Sequence, residues 1–167
     1  MIGVILGLGF QWWTELKEPW QFAAFIFVYL DIVDFWIDYG PALKKFPPKK
    51  ELDVFLDLAI CFSLFLYIYS TQHSVIYFIM AFGLLRIFDF IWLYSSRAEY
   101  KPAGFDKKYL DTWMLIDGIE VAISAVIILL SSLFNFSPLI VLLVFIATRI
   151  AMRIFASISY KKVYLPN

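Results

Sequence analysis

Charged side chains recur at helical spacing inside apolar stretches of this chain. Asp31, Asp34 and Asp38 stand at i, i+3 and i+7, and Asp53 and Asp57 at i, i+4. Arg86 with Asp89, and Asp117 with Glu120, are three apart, and Arg149 and Arg153 are four apart. Each spacing puts its set on one face of a helix. An ionised group at the centre of a bilayer costs about 2.5–3.5 kcal/mol on insertion scales. Such faces are therefore expected to turn toward one another and away from lipid. The chemistry open to them is ion pairing, proton uptake by surplus acids, or cation binding. Asp31 with Asp34, and Asp117 with Glu120, also have the form of helical acidic pairs that hold Mg²⁺ beside a phosphate substrate.

Other catalytic chemistry finds little material. Cys61 is the one cysteine, which excludes an intrachain disulfide, a redox pair and a cysteine metal site. His73 is the one histidine, so a single chain cannot hold haem through two. There is no HExxH, no GxGxxG and no Walker sequence, and no Ser–His pair stands out. The acidic helical motifs of membrane-lipid phosphotransferases come with further Gly and Arg positions that this chain does not have. The expectation is a protein that is not an enzyme and carries no cofactor, with metal binding left open.

The elements that must position these charges are membrane spans. Of 167 residues 62% are hydrophobic, 20% aromatic and 17% charged, and the mean hydropathy is +0.79. A soluble domain of this size has too little interior for so much apolar surface. The 14 basic and 14 acidic residues balance, so no general attraction to nucleic acid follows. A span takes about 20 mostly apolar residues, and four stretches qualify: Leu52–Tyr69, Ser74–Tyr94, Leu110–Leu133 and Pro138–Tyr160. A fifth, Trp20–Tyr39, is loaded with Asp31, Asp34 and Asp38, and either crosses the bilayer or lies tilted on its surface. The expected fold is an all-α integral membrane protein, an antiparallel bundle of four transmembrane helices and this first one. Residues 1–19 read as an interfacial segment, with Trp12, Trp13 and Trp20 at headgroup level. Residues 20–160 read as one transmembrane domain and 161–167 as a basic cytoplasmic tail. No basic stretch precedes the opening apolar run, so a cleavable signal is not expected. Gly40-Pro41 is expected to end the first span, and Pro47-Pro48 to bar a helix before the next. Scarce Asn and Gln beside abundant Ile, Phe and Tyr hint at a thermophilic source.

Lysine and arginine fall in alternate loops. Lys44, Lys45, Lys49 and Lys50 precede the second span, Arg97, Lys101, Lys107 and Lys108 precede the fourth, and Lys161 and Lys162 follow the last. The links at 70–73 and 134–138 have none. Positive loops stay in the cytoplasm, which puts the C-terminus inside and, with five spans, the N-terminus outside. At about 1.5 Å per residue, Asp57, Arg86, Asp89, Asp117, Glu120, Arg149 and Arg153 then fall in the cytoplasmic half of the membrane. Asp31 and Asp34 join them if the first helix spans. Asp38, Asp53 and Asp111 are expected at the wet inner edge. The layer would hold three guanidinium groups against six carboxylates, and Arg86 is expected to meet Asp89 and either Asp57 or Asp117.

Residues 52–160 can be compared with a known family. The fourth span begins Lys108-Tyr-Leu-Asp-Thr-Trp-Met-Leu-Ile-Asp117, and the third contains Phe82-Gly-Leu-Leu-Arg86-Ile-Phe88. These stretches resemble the third and second helices of voltage-sensor domains. The last span, with Arg149 and Arg153, is similar to the family's arginine helix in direction. Gly83 stands where that family has an acid, and the arginines number two, four apart. The resemblance implies a four-helix unit in which arginines pass along acidic partners. At about 2.3 kcal/mol per charge per 100 mV, two arginines would give a shallow voltage response.

Two functional expectations follow. One is an ion-linked module, a proton or cation pathway or a sensor, built on Asp31, Asp34, Asp57, Arg86, Asp89, Asp117, Glu120, Arg149 and Arg153. Asp117 and Glu120 are its expected exchange sites. The other is a scaffold or accessory subunit whose charges lock helix packing. The partners are the lipid bilayer, protons or cations, and either further copies of the chain or another membrane subunit.

Overall fold

The computed structural model describes residues 2–159. They form six helices: α1 (Ile2–Gly9), α2 (Pro19–Lys45), α3 (Glu51–Tyr69), α4 (Val75–Tyr100), α5 (Gly104–Phe134) and α6 (Pro138–Ser159). A 3₁₀ segment, Phe10–Glu15, joins α1 to α2, and another, Ser70–Gln72, follows α3. Among the described residues there is no strand. The five helices α2 to α6 are each long and apolar enough to cross a membrane. The tail expected at 161–167 and the last residue expected in the fifth span, Tyr160, lie outside the described residues.

The helix starts follow from local hydrogen bonding. At the head of α2, Pro19 supplies a preset φ and lacks the N–H that a first turn leaves unpaired. The Gln21 side chain accepts from the backbone N–H of Lys17 at 2.7 Å and of Glu18 at 2.9 Å. Asp53 does the same for α3, accepting from Lys49 and Lys50 N–H at 3.1 Å each. Ser74 caps α4 by accepting from Tyr77 N–H at 3.2 Å. The stops at Lys101 and Asn135 take the left-handed conformation, with φ of 44° and 49°. Asn reaches that region more easily than most residues.

Gly40-Pro41 does not end the first long helix. α2 runs through Pro41 to Lys45. Proline deprives the Ile37 carbonyl of its hydrogen-bond partner, a cost offset by the burial of Asp38, Tyr39 and Ala42 around it. The stop comes at Phe46, which precedes Pro47-Pro48 and has φ −123° and ψ 65°. A residue before proline is disfavoured in the helical region. α4 likewise runs six residues past the expected end at Tyr94, to Tyr100, and α5 begins six before Leu110, at Gly104.

α4 is central and packs along both α3 and α5; α6 packs against α5, α2 and α4. α2 closes the bundle against α3 and α6, with Ala24, Val28, Ile32 and Tyr39 fully buried. α1 leans on α3. Gly9 permits this approach, since a Cβ there would stand 2.8 Å from Ile68 Cδ1. Tyr29 donates from its hydroxyl to the Leu6 carbonyl at 2.7 Å. Trp12 packs on Phe65 and Tyr69 at centroid distances of 4.7 and 5.1 Å. Trp20, expected at headgroup level, is buried in the core.

The two lysine-rich loops meet at one end. Lys45 pairs with Asp106, and Lys50 with Glu99. The Tyr100 hydroxyl donates to the Pro47 carbonyl, and Lys49 Nζ sits 3.7 Å from the centre of the Tyr100 ring. The carboxylate of Glu99 raises the pKa of the exposed Lys50 ammonium. Arg97 joins this end through Asp111 at 2.9 Å, and Lys107 reaches the same carboxylate at 3.1 Å.

Candidate functional site

Three arginines organise the interior polar layer, two of them contributed by α6. Arg86 on α4 is 2% exposed. Its Nε lies 2.9 Å from Glu120 Oε2, and its Nη1 lies 3.4 Å from Asp89 Oδ2 and 3.5 Å from Asp117 Oδ1. Arg149 on α6 donates from Nε to Asp31 Oδ1 at 2.8 Å and from Nη1 to Glu120 Oε1 at 2.7 Å. Arg153, one turn further, donates from Nη2 to Asp34 Oδ1 at 2.9 Å and pairs through Nη1 with Asp38. The layer therefore joins α2, α4, α5 and α6. A neutral hydrophobic contact would be cheaper to bury, so each charge here depends on its partners.

Aromatic rings fill the space around the guanidinium groups. Phe82 lies 5.0 Å from the Arg86 guanidinium carbon and 5.7 Å from that of Arg149, and Phe35 lies 5.5 Å from that of Arg86. Such ring faces attract cations, more strongly where water is absent. Trp113 is a hydrogen-bond partner of Asp89. The aromatic residues were not among the expected site residues. Their spacing marks them as ordinary packing residues, and only the fold aims them at the arginines.

Eight of the nine expected site residues come together: Asp31, Asp34, Arg86, Asp89, Asp117, Glu120, Arg149 and Arg153. Asp57 does not. It is half-buried on α3, accepts from the Tyr39 hydroxyl at 2.7 Å, and is hydrogen-bonded by Trp92. Among the described residues none of the three arginines pairs with it; α3 turns Asp57 toward α2 and α4, away from α6. Asp38, expected at the wet edge, is instead buried at 4% exposure and paired with Arg153. Its i+4 spacing from Asp34 carried that signal, but it would sit at the membrane edge had α2 ended at Gly40. Asp53 is a helix cap, yet a buried one, held also by the Ser95 hydroxyl at 2.8 Å.

The exchange of Asp57 for Asp38 leaves the charge count unchanged. Arg86, Arg149 and Arg153 face Asp31, Asp34, Asp38, Asp89, Asp117 and Glu120. The surplus is not spread evenly. Glu120 lies between two arginines, at 2.9 and 2.7 Å. Asp89 and Asp117 are both fully buried, share Arg86 at its two longest contacts, and stand within hydrogen-bond reach of each other. Two ionised carboxylates offer only acceptors, so a hydrogen bond between them requires a proton on one. Among the described residues, Asp117 Oδ1 and Oδ2 and Asp89 Oδ1 receive no well-aligned hydrogen bond, and Arg86 reaches Asp117 only at 3.5 Å. Among the described residues no group of three His, Cys, Asp or Glu is placed to hold a metal ion.

No family model matches this chain, and no curated protein or solved structure is detectably similar to it.

Proposed function

We propose that the chain is a multi-pass membrane protein whose interior layer is proton-linked, with the Asp89–Asp117 pair as the group that takes up and releases the proton. The observation that carries this reading is the facing of two fully buried carboxyls across one loosely held arginine. Like charges so close cannot both ionise in a medium of low dielectric; one carboxyl stays protonated and can exchange. The proton is preferred to a cation because, among the described residues, no three His, Cys, Asp or Glu are placed to hold a metal ion. Glu120, the other expected exchange site, lies between Arg86 and Arg149 at 2.9 and 2.7 Å and does not face a second carboxyl across a loosely held arginine.

The bundle is read as antiparallel, with five spans and the lysine clasp on the cytoplasmic side. The support is the joining of both lysine-rich loops at one end and the lack of Lys and Arg in the 70–73 and 134–138 links. A single-cysteine accessibility scan, with Cys61 removed, tests the orientation. Positions 49 and 107 are expected to label from the cytoplasmic side and 73 and 135 from outside. Labelling of position 73 from the cytoplasm alone would reverse it.

One observation favours a second reading, in which the charges serve packing alone. Arg149 ties α2, α5 and α6 with two short bonds. Locking of helices by Arg149 and proton exchange at Asp89–Asp117 are compatible within one protein. A pure scaffold, accessory to another membrane subunit, would have no exchangeable proton. Infrared spectroscopy of the protein in bilayers separates the two. A protonated-carboxyl band at neutral pH, lost in both Asp89→Asn and Asp117→Asn, is the expected result. Its absence from the wild type would contradict the proton-linked reading.

A further inference from the structure

We infer that a small cavity among α2, α4, α5 and α6 binds a single water, and that this water passes protons between the Asp89–Asp117 pair and the Arg153–Asp34 edge. The inference rests on the proton-linked reading above and adds the route. The cavity has about 10 Å³ of space and is lined by Phe35, Asp38, Arg86, Trp113, Asp117 and Arg153, among others. That is about the room one water needs, provided it finds two to four polar partners.

The partners are present and otherwise unsatisfied. Among the described residues, Arg86 Nη2 has no hydrogen-bond partner, and the Asp117 oxygens receive from protein nothing closer than Arg86 Nη1 at 3.5 Å. Both residues are almost wholly buried, at 2% and 0% exposure. A water here accepts from Arg86 Nη2 and donates to Asp117. All four surrounding helices bring charge to the space: Asp38 from α2, Arg86 from α4, Asp117 from α5, and Arg149 and Arg153 from α6. Asp89 and Glu120 stand behind Arg86 and Asp117.

Among the described residues, Asp34 and Arg153 are the members of the layer most open to the protein surface. The side chains of Arg153 and Asp34 are 23% and 32% exposed, whereas Arg86, Asp89, Asp117 and Glu120 are buried. A proton arriving through Asp34 and Asp38 adds to the water oxygen as one of the water's own protons passes to Asp117. The water is regenerated, no electrons are transferred, and the carboxyl pair goes from one proton to two. Release toward the same side runs the same steps backward.

The test uses the full chain in lipid bilayers and infrared difference spectra recorded in H₂¹⁶O and H₂¹⁸O. The expected result is an isotope-shifted band from a confined water in the wild type. Ala156 is buried on the cavity wall, and Ala156→Leu fills the space. In that variant the water band is expected to vanish and proton uptake after a pH jump to slow at least tenfold, while the protonated-carboxyl band persists. Ala156→Val is the gentler variant should leucine prevent folding, and the wild-type isotope shift needs no variant. A wild type that shows the carboxyl band without a confined-water band overturns the water relay and leaves the shared proton standing. A filled cavity with unchanged uptake rate also overturns it. A water band with no protonated carboxyl removes the shared proton, and the relay with it.

Discussion

Arg149→Ala is expected to lower the unfolding free energy by about 3–5 kcal/mol, the cost of stranding a buried charge when its partner is removed. Two carboxylates are stranded here, Asp31 on α2 and Glu120 on α5, held at 2.8 and 2.7 Å. α2 is tied to α6 again one turn on, where Asp34 and Asp38 meet Arg153. Arg149→Lys is not expected to restore stability. One ammonium cannot reproduce the guanidinium fork that donates from Nε to one helix and from Nη1 to another. Arg86→Ala should fall in the same range, because it leaves Asp89, Asp117 and Glu120 without a shared cation. Lys101→Ala, at the exposed end of α4, should stay within about 0.5 kcal/mol. Thermal unfolding in detergent, followed by helical circular dichroism, checks the series. Equal melting temperatures for Arg149→Ala and Lys101→Ala would show that Arg149 is not a buried tie.

The architecture was legible because a membrane span needs a long apolar run and the charges inside it stand out. Leu52–Tyr69 is α3 but for one residue at its start, and α6 opens at Pro138, where the last span is expected to begin. The errors came from local punctuation. Gly40-Pro41 is a strong turn signal in isolation, but α2 is held on both flanks by packing and by Asp38 on Arg153, and the helix continues. Depth counting placed Asp57 with the arginines because it measures position along one axis only. It carries no information about which way α3 faces, and α3 directs Asp57 to Tyr39 and Trp92. The division of labour between Glu120 and Asp117 was hidden for a related reason. Both lie on α5, one turn apart, and only distances to Arg86 and Arg149 separate the neutralised acid from the unsatisfied one.

Asp117→Asn is expected to abolish proton exchange and leave the bundle folded. Asparagine keeps the shape of aspartate and brings an NH₂ that donates to Asp89, so the hydrogen bond survives without a proton. The pair keeps its single negative charge, now on Asp89 facing Arg86, so no large loss of stability follows. The contrast with Arg149→Ala is therefore one of kind: one variant loses stability, the other the proton.

Proton flux through liposomes containing the purified protein measures this claim most directly. Under an imposed pH gradient the wild type should carry protons, Lys101→Ala should match it, and Asp117→Asn should carry none while melting within a few degrees of the wild type. A wild type that carries no protons under a gradient of either polarity, with Asp117→Asn differing only in stability, would contradict the account and leave a scaffold held together by its charges.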